Sequence, residues 1–178
     1  MNKPRTLIAV LIVVSAITGA SLALYLKAGI PGAVSIPEAS LAQLQASSFP
    51  DVRNVDQPYS QWQGKIVVLN FWATWCPPCR EEMPMFSRLQ DELRDRDVQF
   101  VGIGIDSPSA IKEFDLRTPM RYPLLIGGSQ SLDLARALGN PSGGLPYTVV
   151  FDRAGKPVMS RLGLIDEASL SAALQPLL

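Results

Sequence analysis

The chain has 178 residues, with 16 Lys and Arg against 16 Asp and Glu, and it contains no histidine. A formal net charge of zero gives no indication of a nucleic-acid-binding surface. The absence of histidine excludes His-based acid–base catalysis, Ser-His-Asp triads and His-ligated metal sites, and the length predicts one globular domain plus an accessory segment.

A long uncharged stretch near the N-terminus predicts a membrane anchor. Residues 6–26 carry no charge and are rich in Leu, Ile, Val and Ala. As a helix they would extend over about 31 Å, close to the thickness of the hydrocarbon core of a bilayer. Residues 1–5, with Lys3 and Arg5, are predicted to remain in the cytoplasm, so the rest of the chain would lie outside it. The alternative is a cleaved signal peptide, for which Thr18-Gly19-Ala20 is the candidate cleavage site.

The next segment is predicted to be a tether between the anchor and a folded domain. Residues 27–48 contain several Gly and Pro in their first half, which favours an irregular conformation. A short helix over residues 40–47 is compatible with this segment. Residues 49–178 are assigned to the folded domain.

Residues 49–178 alternate between apolar runs and helix-forming runs, which predicts an α/β domain. The most apolar run, Ile66–Trp72, has the composition of a central strand covered on both faces. The result is a mixed central sheet with helices on both faces. Strands are predicted at 66–72, 98–105, 124–126, 147–152 and 158–162, and helices at 77–94, 109–116, 130–138 and 167–174, the last capped by Asp166.

The only two cysteines, Cys76 and Cys79, follow this central strand. Cys76 lies at the predicted helix start, where free N–H groups and the helix dipole favour a thiolate, so it is the expected attacking sulfur. Cys79, at i+3 on the same face, would resolve a mixed disulfide. Pro77 and Pro78 stiffen the loop between them, and we assign both to the client-docking surface.

Two other uses of the cysteines compete with redox exchange. A structural disulfide is disfavoured because closing so small a loop removes little chain entropy. A zinc site needs about four ligands, and the chain has no further cysteine and no histidine. The sequence therefore predicts no metal and no cofactor other than a redox-active Cys76–Cys79 disulfide.

Residues 68–84, V-L-N-F-W-A-T-W-C-P-P-C-R-E-E-M-P, resemble the active-site segment of thioredoxin-fold proteins. They are most similar to the membrane-anchored TlpA/ResA/CcmG (DsbE)-like thiol–disulfide oxidoreductases, and the resemblance covers residues 49–178. It implies a thioredoxin-like fold preceded by one N-terminal transmembrane helix.

The resemblance also implies roles for residues outside the cysteine pair. Leu145 and Pro146 match the cis-proline loop that docks substrate, although an ordinary trans proline is the alternative. Glu82 matches the acidic residue that tunes cysteine acidity and can carry a proton, the alternative being a solvated helix carboxylate. Trp75 would line the substrate surface. Asn70 stands where thioredoxin itself has a buried aspartate, which shifts proton transfer towards Glu82 or water.

The function implied is that of an oxidoreductase in the bacterial inner membrane, with its domain on the periplasmic side. It would reduce protein disulfides in cytochrome c maturation or metal-centre assembly, and a DsbD/CcdA-type membrane donor would re-reduce it. A disulfide-forming oxidase is the first alternative, because direction depends on redox potential. A peroxiredoxin-type peroxidase would need a Pro-x-x-x-Thr-x-x-Cys context that the chain lacks. A Cu(I)-binding or client-binding module is the alternative from another class.

Overall fold

The apolar run that precedes the cysteines forms the central strand of a mixed five-stranded sheet. The computed structural model describes residues 35–178. Its strands are β1 (Ser48–Pro50), β2 (Asp56–Pro58), β3 (Ile66–Trp72), β4 (Val98–Gly104), β5 (Leu124–Ile126), β6 (Tyr147–Phe151) and β7 (Pro157–Leu162). Its α-helices are α1 (Glu38–Ala46), α2 (Pro77–Leu93), α3 (Pro108–Arg117), α4 (Ser131–Ala137) and α5 (Glu167–Leu174), and short 3-10 helices span Tyr59–Trp62, Arg94–Arg96 and Gln175–Leu177.

The strands follow the order β5-β4-β3-β6-β7 across the sheet. β3 pairs in parallel with β4 along its whole length, ending with Trp72 opposite Gly104. On its other side it pairs antiparallel with β6, where Phe71 lies opposite Tyr147. The carboxyl end of β3 and the amino end of β6 therefore lie side by side at one end of the sheet.

Both faces of the sheet are covered by helices. Every residue of β3 is buried, and its side chains alternate between the two faces. On one face Val68 belongs to a cluster with residues of α2, α3 and α5, including Phe86. On the other face Leu69 belongs to a cluster with residues of α1 and α4, including Leu134. The predicted mixed sheet with helices on both faces is confirmed.

The folded domain begins earlier than the predicted boundary at residue 49. Within residues 35–48, which we predicted to be tether, Ile36 and Leu44 are buried with 8% and 1% of their surface exposed. Both belong to the cluster that contains Tyr59 and Trp62 of the first 3-10 helix. The tether assignment of residues 35–48 is therefore wrong, because α1 covers apolar surface on one face of the sheet, whereas the short helix considered at 40–47 is present as part of α1.

The predicted anchor at 6–26 and the start of the tether lie outside the described residues. Over the range 35–178, the helices are too short or too polar to cross a membrane.

Candidate active site

The two cysteines lie at the junction between β3 and α2. Cys76 is the N-cap of α2, and Cys79 lies in its first turn. The backbone N–H of Cys79 donates to Sγ of Cys76 over 3.3 Å, and the two sulfurs form a disulfide bond. Free N–H groups and the helix dipole stabilise negative charge at such a position. The predicted placement of Cys76 at a helix start is confirmed.

Both cysteines are buried, and Cys76 is slightly more accessible than Cys79. Cys76 keeps 3% of its surface exposed, whereas Cys79 has 0%. Attack on a disulfide requires an in-line approach to one sulfur, so the residue nearer the surface is the one that a partner reaches first. This arrangement supports Cys76 as the attacking sulfur and Cys79 as the resolving one.

The residues that flank the cysteines form an exposed apolar rim. Trp75 has 66% of its surface exposed. Pro77 is exposed at the first position of α2, and Pro78 is half-buried. The Thr74 hydroxyl donates to the Asp106 carboxylate, which fixes this loop to the segment after β4. A large aromatic side chain held on a fixed loop suits contact with another polypeptide.

The loop before β6 meets the cysteine segment at the same end of the sheet. The Leu145–Pro146 peptide bond is cis, as the resemblance implied. Pro146 directly precedes Tyr147, which lies opposite Phe71 near the end of β3. Pro146 is buried, and its carbonyl accepts the Gly163 N–H over 2.8 Å. Leu145 is half-buried and packs against the cluster that contains both cysteines.

Glu82 is a buried carboxyl on the inner side of α2, with 2% of its surface exposed. Its Oε1 accepts the side-chain N–H of Asn70 over 2.8 Å, and its Oε2 accepts the backbone N–H of Ile165 over 3.1 Å. Burial raises the pKa of Glu82 from 4.5 to about 7, although both hydrogen bonds act in the opposite direction. Such a carboxyl can take up and release a proton near neutral pH. The alternative of a solvated carboxylate is wrong for Glu82 and fits its exposed neighbour Glu81.

The sequence interpretation missed Thr148 and anticipated only part of the role of Asn70. The Asn70 amide also donates to Oγ1 of Thr148 over 3.0 Å. Asn70 and Thr148 lie opposite each other on β3 and β6 and are almost fully buried. A usable signal was present, since each is a polar residue inside an otherwise apolar strand. Their contact, however, depends on a strand pairing that local patterns do not reveal.

The site thus places a disulfide-bonded cysteine pair and a buried carboxyl on the same helix. In the described residues 35–178, no group of three or more Cys, Asp or Glu side chains is arranged to hold a metal ion. This arrangement suits thiol–disulfide exchange, with the Glu82 carboxyl available on the same helix to take up or release a proton.

Comparison with known proteins places this geometry in a family. Residues 38–158 match the AhpC/TSA family. The chain belongs to that family. The thiol-disulfide oxidoreductase ResA of Bacillus cereus is 31% identical over 115 residues, which are 64% of this chain and 64% of the relative. The chain therefore matches just under two thirds of the length of this curated relative.

Solved structures agree with this assignment. A thiol:disulfide interchange protein of the thioredoxin family from Chlorobium tepidum TLS is 26% identical, with a TM-score of 0.64 over 74% of this chain and 92% of that one. MTB DsbF, solved in mixed oxidised and reduced forms, is 26% identical, with a TM-score of 0.64 over 81% of this chain and 100% of that one. The prediction of a TlpA/ResA/CcmG-like member of the thioredoxin superfamily is confirmed.

Proposed function

We propose that this protein is a thiol–disulfide oxidoreductase that works through the dithiol of Cys76 and Cys79. The observation that carries this proposal is the disulfide at the N-terminus of α2. Its position next to the Pro146 loop and the exposed Trp75 allows another protein chain to approach the sulfur of Cys76. The ResA name of the relative supports the same activity.

The exchange reaction follows from the positions of the groups. In the reduced protein, the Cys76 thiolate attacks a client disulfide, forms a mixed disulfide and releases one client thiolate. The Cys79 thiol then passes its proton to the Glu82 carboxylate, one helical turn away. The Cys79 thiolate attacks Sγ of Cys76, which closes the Cys76–Cys79 bond and releases the second client thiolate. Two electrons have then moved to the client.

We further propose that the protein reduces disulfides outside the cytoplasm of a bacterium. Residues 6–26 would anchor it in the inner membrane, because they are long, apolar and preceded by Lys3 and Arg5. Clients in cytochrome c maturation or metal-centre assembly, and a DsbD/CcdA-type membrane donor, fit a reductant in that place. The redox-active disulfide would be its only redox group.

A trapping experiment tests the exchange mechanism. In Cys79→Ser the resolving thiol is gone, so a client should remain bound to Cys76 through a mixed disulfide that dithiothreitol releases. The matched control is Cys76→Ser, which keeps one thiol but lacks the attacking one and should trap far less. Equal trapping by the two variants, or trapping by neither together with no dithiol turnover in the wild type, would contradict the proposal and favour a binding module.

The direction of electron flow requires a separate measurement. Equilibrating the wild-type protein with glutathione buffers and quantifying the disulfide gives its reduction potential. A low potential, near that of thioredoxin, supports the reductase, whereas a potential near that of DsbA supports the oxidase. Peroxide consumption with dithiothreitol as reductant tests the peroxidase alternative, and we expect it to be negligible.

A further inference from the structure

The side chain of Asn70 is built into the site in a way that thiol exchange alone does not explain. It is 1% exposed, and its amide group contacts two other buried side chains. Nδ2 lies 2.8 Å from Oε1 of Glu82 and 3.0 Å from Oγ1 of Thr148. Both N–H bonds of the amide are therefore used, one for each oxygen.

The other half of the amide has no partner. Oδ1 of Asn70 is buried without a hydrogen bond to any described residue, and such burial costs free energy. The opposite orientation of the amide would bring Oδ1 against an oxygen of the Glu82 carboxylate, which is repulsive while that group is ionised. The orientation with N–H towards Glu82 therefore favours the ionised carboxyl, and it leaves the Asn70 carbonyl unpaired.

Few other groups that face Glu82 can stabilise its charge. In the part of the chain that the structure describes, the ion pairs are all made by arginines, and all of them involve carboxylates other than Glu82. From the loop before β5, Tyr122 presents a buried phenol whose pKa is raised by burial and, further, by the charge of Glu82. On α2, Cys76 and Cys79 carry no titrating proton while they are disulfide-bonded.

The remaining donors to Glu82 are two neutral N–H groups. The backbone N–H of Ile165 contacts Oε2, and Asn70 contacts Oε1. Of these two donors, only the Asn70 side chain can be removed by substitution without changing the backbone. Its second bond, to Thr148, holds the amide in the orientation that serves Glu82.

We propose that Asn70, held by Thr148, is a positioning residue that orients the Glu82 carboxyl and stabilises its ionised form as the proton acceptor for Cys79. The proposal rests on the proposed exchange reaction and adds the group that prepares its base. Burial raises the pKa of Glu82, and the hydrogen bond from Asn70 lowers it. Removal of the Asn70 donor should therefore raise this pKa, so that the carboxyl retains its proton to higher pH. Removal of the Thr148 hydroxyl frees the amide to turn away, which should act in the same direction but less strongly.

The direct test is the titration of Glu82 in the oxidised full-length protein, followed by the carboxyl ¹³C chemical shift. Glu82→Gln identifies the resonance by removing it. In Asn70→Leu, which keeps the branched shape of the side chain but has no N–H donor, the midpoint should rise by about one to two pH units, the shift expected for losing one hydrogen bond to a charged group. Thr148→Val should show a smaller rise, and Thr148→Ser, which restores a hydroxyl, should titrate like the wild type.

A second variant covers the case in which Asn70→Leu does not fold. Asn70→Asp preserves the shape but places two carboxyl groups in contact, so they should share one proton and give two separated titration steps. An unchanged single midpoint in either folded variant would overturn the positioning role. So would a midpoint in Thr148→Ser that moves as far as in Thr148→Val.

A kinetic readout connects the titration to the reaction. The release of a small thiol from its mixed disulfide with Cys76 requires deprotonated Cys79, so its pH profile should shift upward in Asn70→Leu by the same amount as the midpoint. A shifted midpoint with an unshifted pH profile would show that the positioning of Glu82 by Asn70 does not serve the reaction, and would overturn the proposal. If the wild type shows no exchange while the midpoints move as expected, the proposed function fails and the positioning of Glu82 stands.

Discussion

The burial of the Glu82 carboxyl predicts how the stability of the protein depends on pH. Its pKa is about 7 in the folded protein against an ordinary value of 4.5. Between these values the folded protein holds a proton that the unfolded chain has released, so the stability contributed by this group falls as the pH rises. The fall begins near the unfolded pKa and is complete above the folded pKa, and the shift corresponds to about 3 kcal/mol.

The test compares the wild type with Glu82→Gln. We expect the free energy of unfolding of the wild type, relative to the variant, to be about 3 kcal/mol smaller at pH 8.5 than at pH 4. Urea denaturation of the oxidised full-length proteins at both pH values measures the difference, and groups common to both proteins cancel. Any constant cost of placing an amide next to the Ile165 N–H also cancels.

The control is Glu81→Gln on the exposed side of the same helix. This variant removes the same charge from a solvated position, so its stability should follow the wild type within about 0.5 kcal/mol at both pH values. The reasoning is refuted if the free energy of unfolding of Glu82→Gln changes between the two pH values by the same amount as that of the wild type. Burial would then impose no cost on the charge of Glu82.

Two further predictions concern the domain boundary and the exposed rim. Leu44→Ala should lower the free energy of unfolding by about 2–5 kcal/mol in urea denaturation, because Leu44 is almost fully buried. Gln43→Ala, at an exposed position on the same helix, should change the free energy of unfolding by no more than about 0.5 kcal/mol. Equal effects of the two substitutions would contradict the assignment of α1 to the folded domain. Trp75→Ala should leave stability within about 0.5 kcal/mol but slow the reduction of a protein disulfide more than that of a small disulfide, measured by stopped flow. An equal slowing with both substrates would contradict a docking role.

Much of the fold follows from local sequence patterns. The strand Ile66–Trp72 has the predicted bounds, and α2 ends one residue before the predicted end. Apolar continuity, a proline at a helix start and an N-cap act over a few residues, so the sequence carries these signals directly. The predicted cap of the last helix is also present, since Asp166 accepts the N–H of Ser169.

The wrong prediction at α1 has a different cause, because the burial of this helix depends on a long-range contact rather than on a local pattern. Ile36 and Leu44 lie in a segment that mixes Leu41 and several alanines with polar residues, so its pattern indicates no strong amphipathic face. Their burial depends on the surface that Tyr59 and Trp62 present from another part of the chain. Such a partner surface exists only after folding, and local composition therefore favoured a tether.

The chemistry that this protein can perform follows from its residues alone. With no histidine and only Cys76 and Cys79, three positions apart at a helix start, the residues favour redox exchange over metal binding. How a proton is held beside that pair depends instead on long-range contacts. Asn70 and Thr148 are 78 residues apart and meet because β3 pairs with β6. The affinity of Glu82 for its proton depends on desolvation, which exists only once the sheet and the neighbouring loops have enclosed the carboxyl.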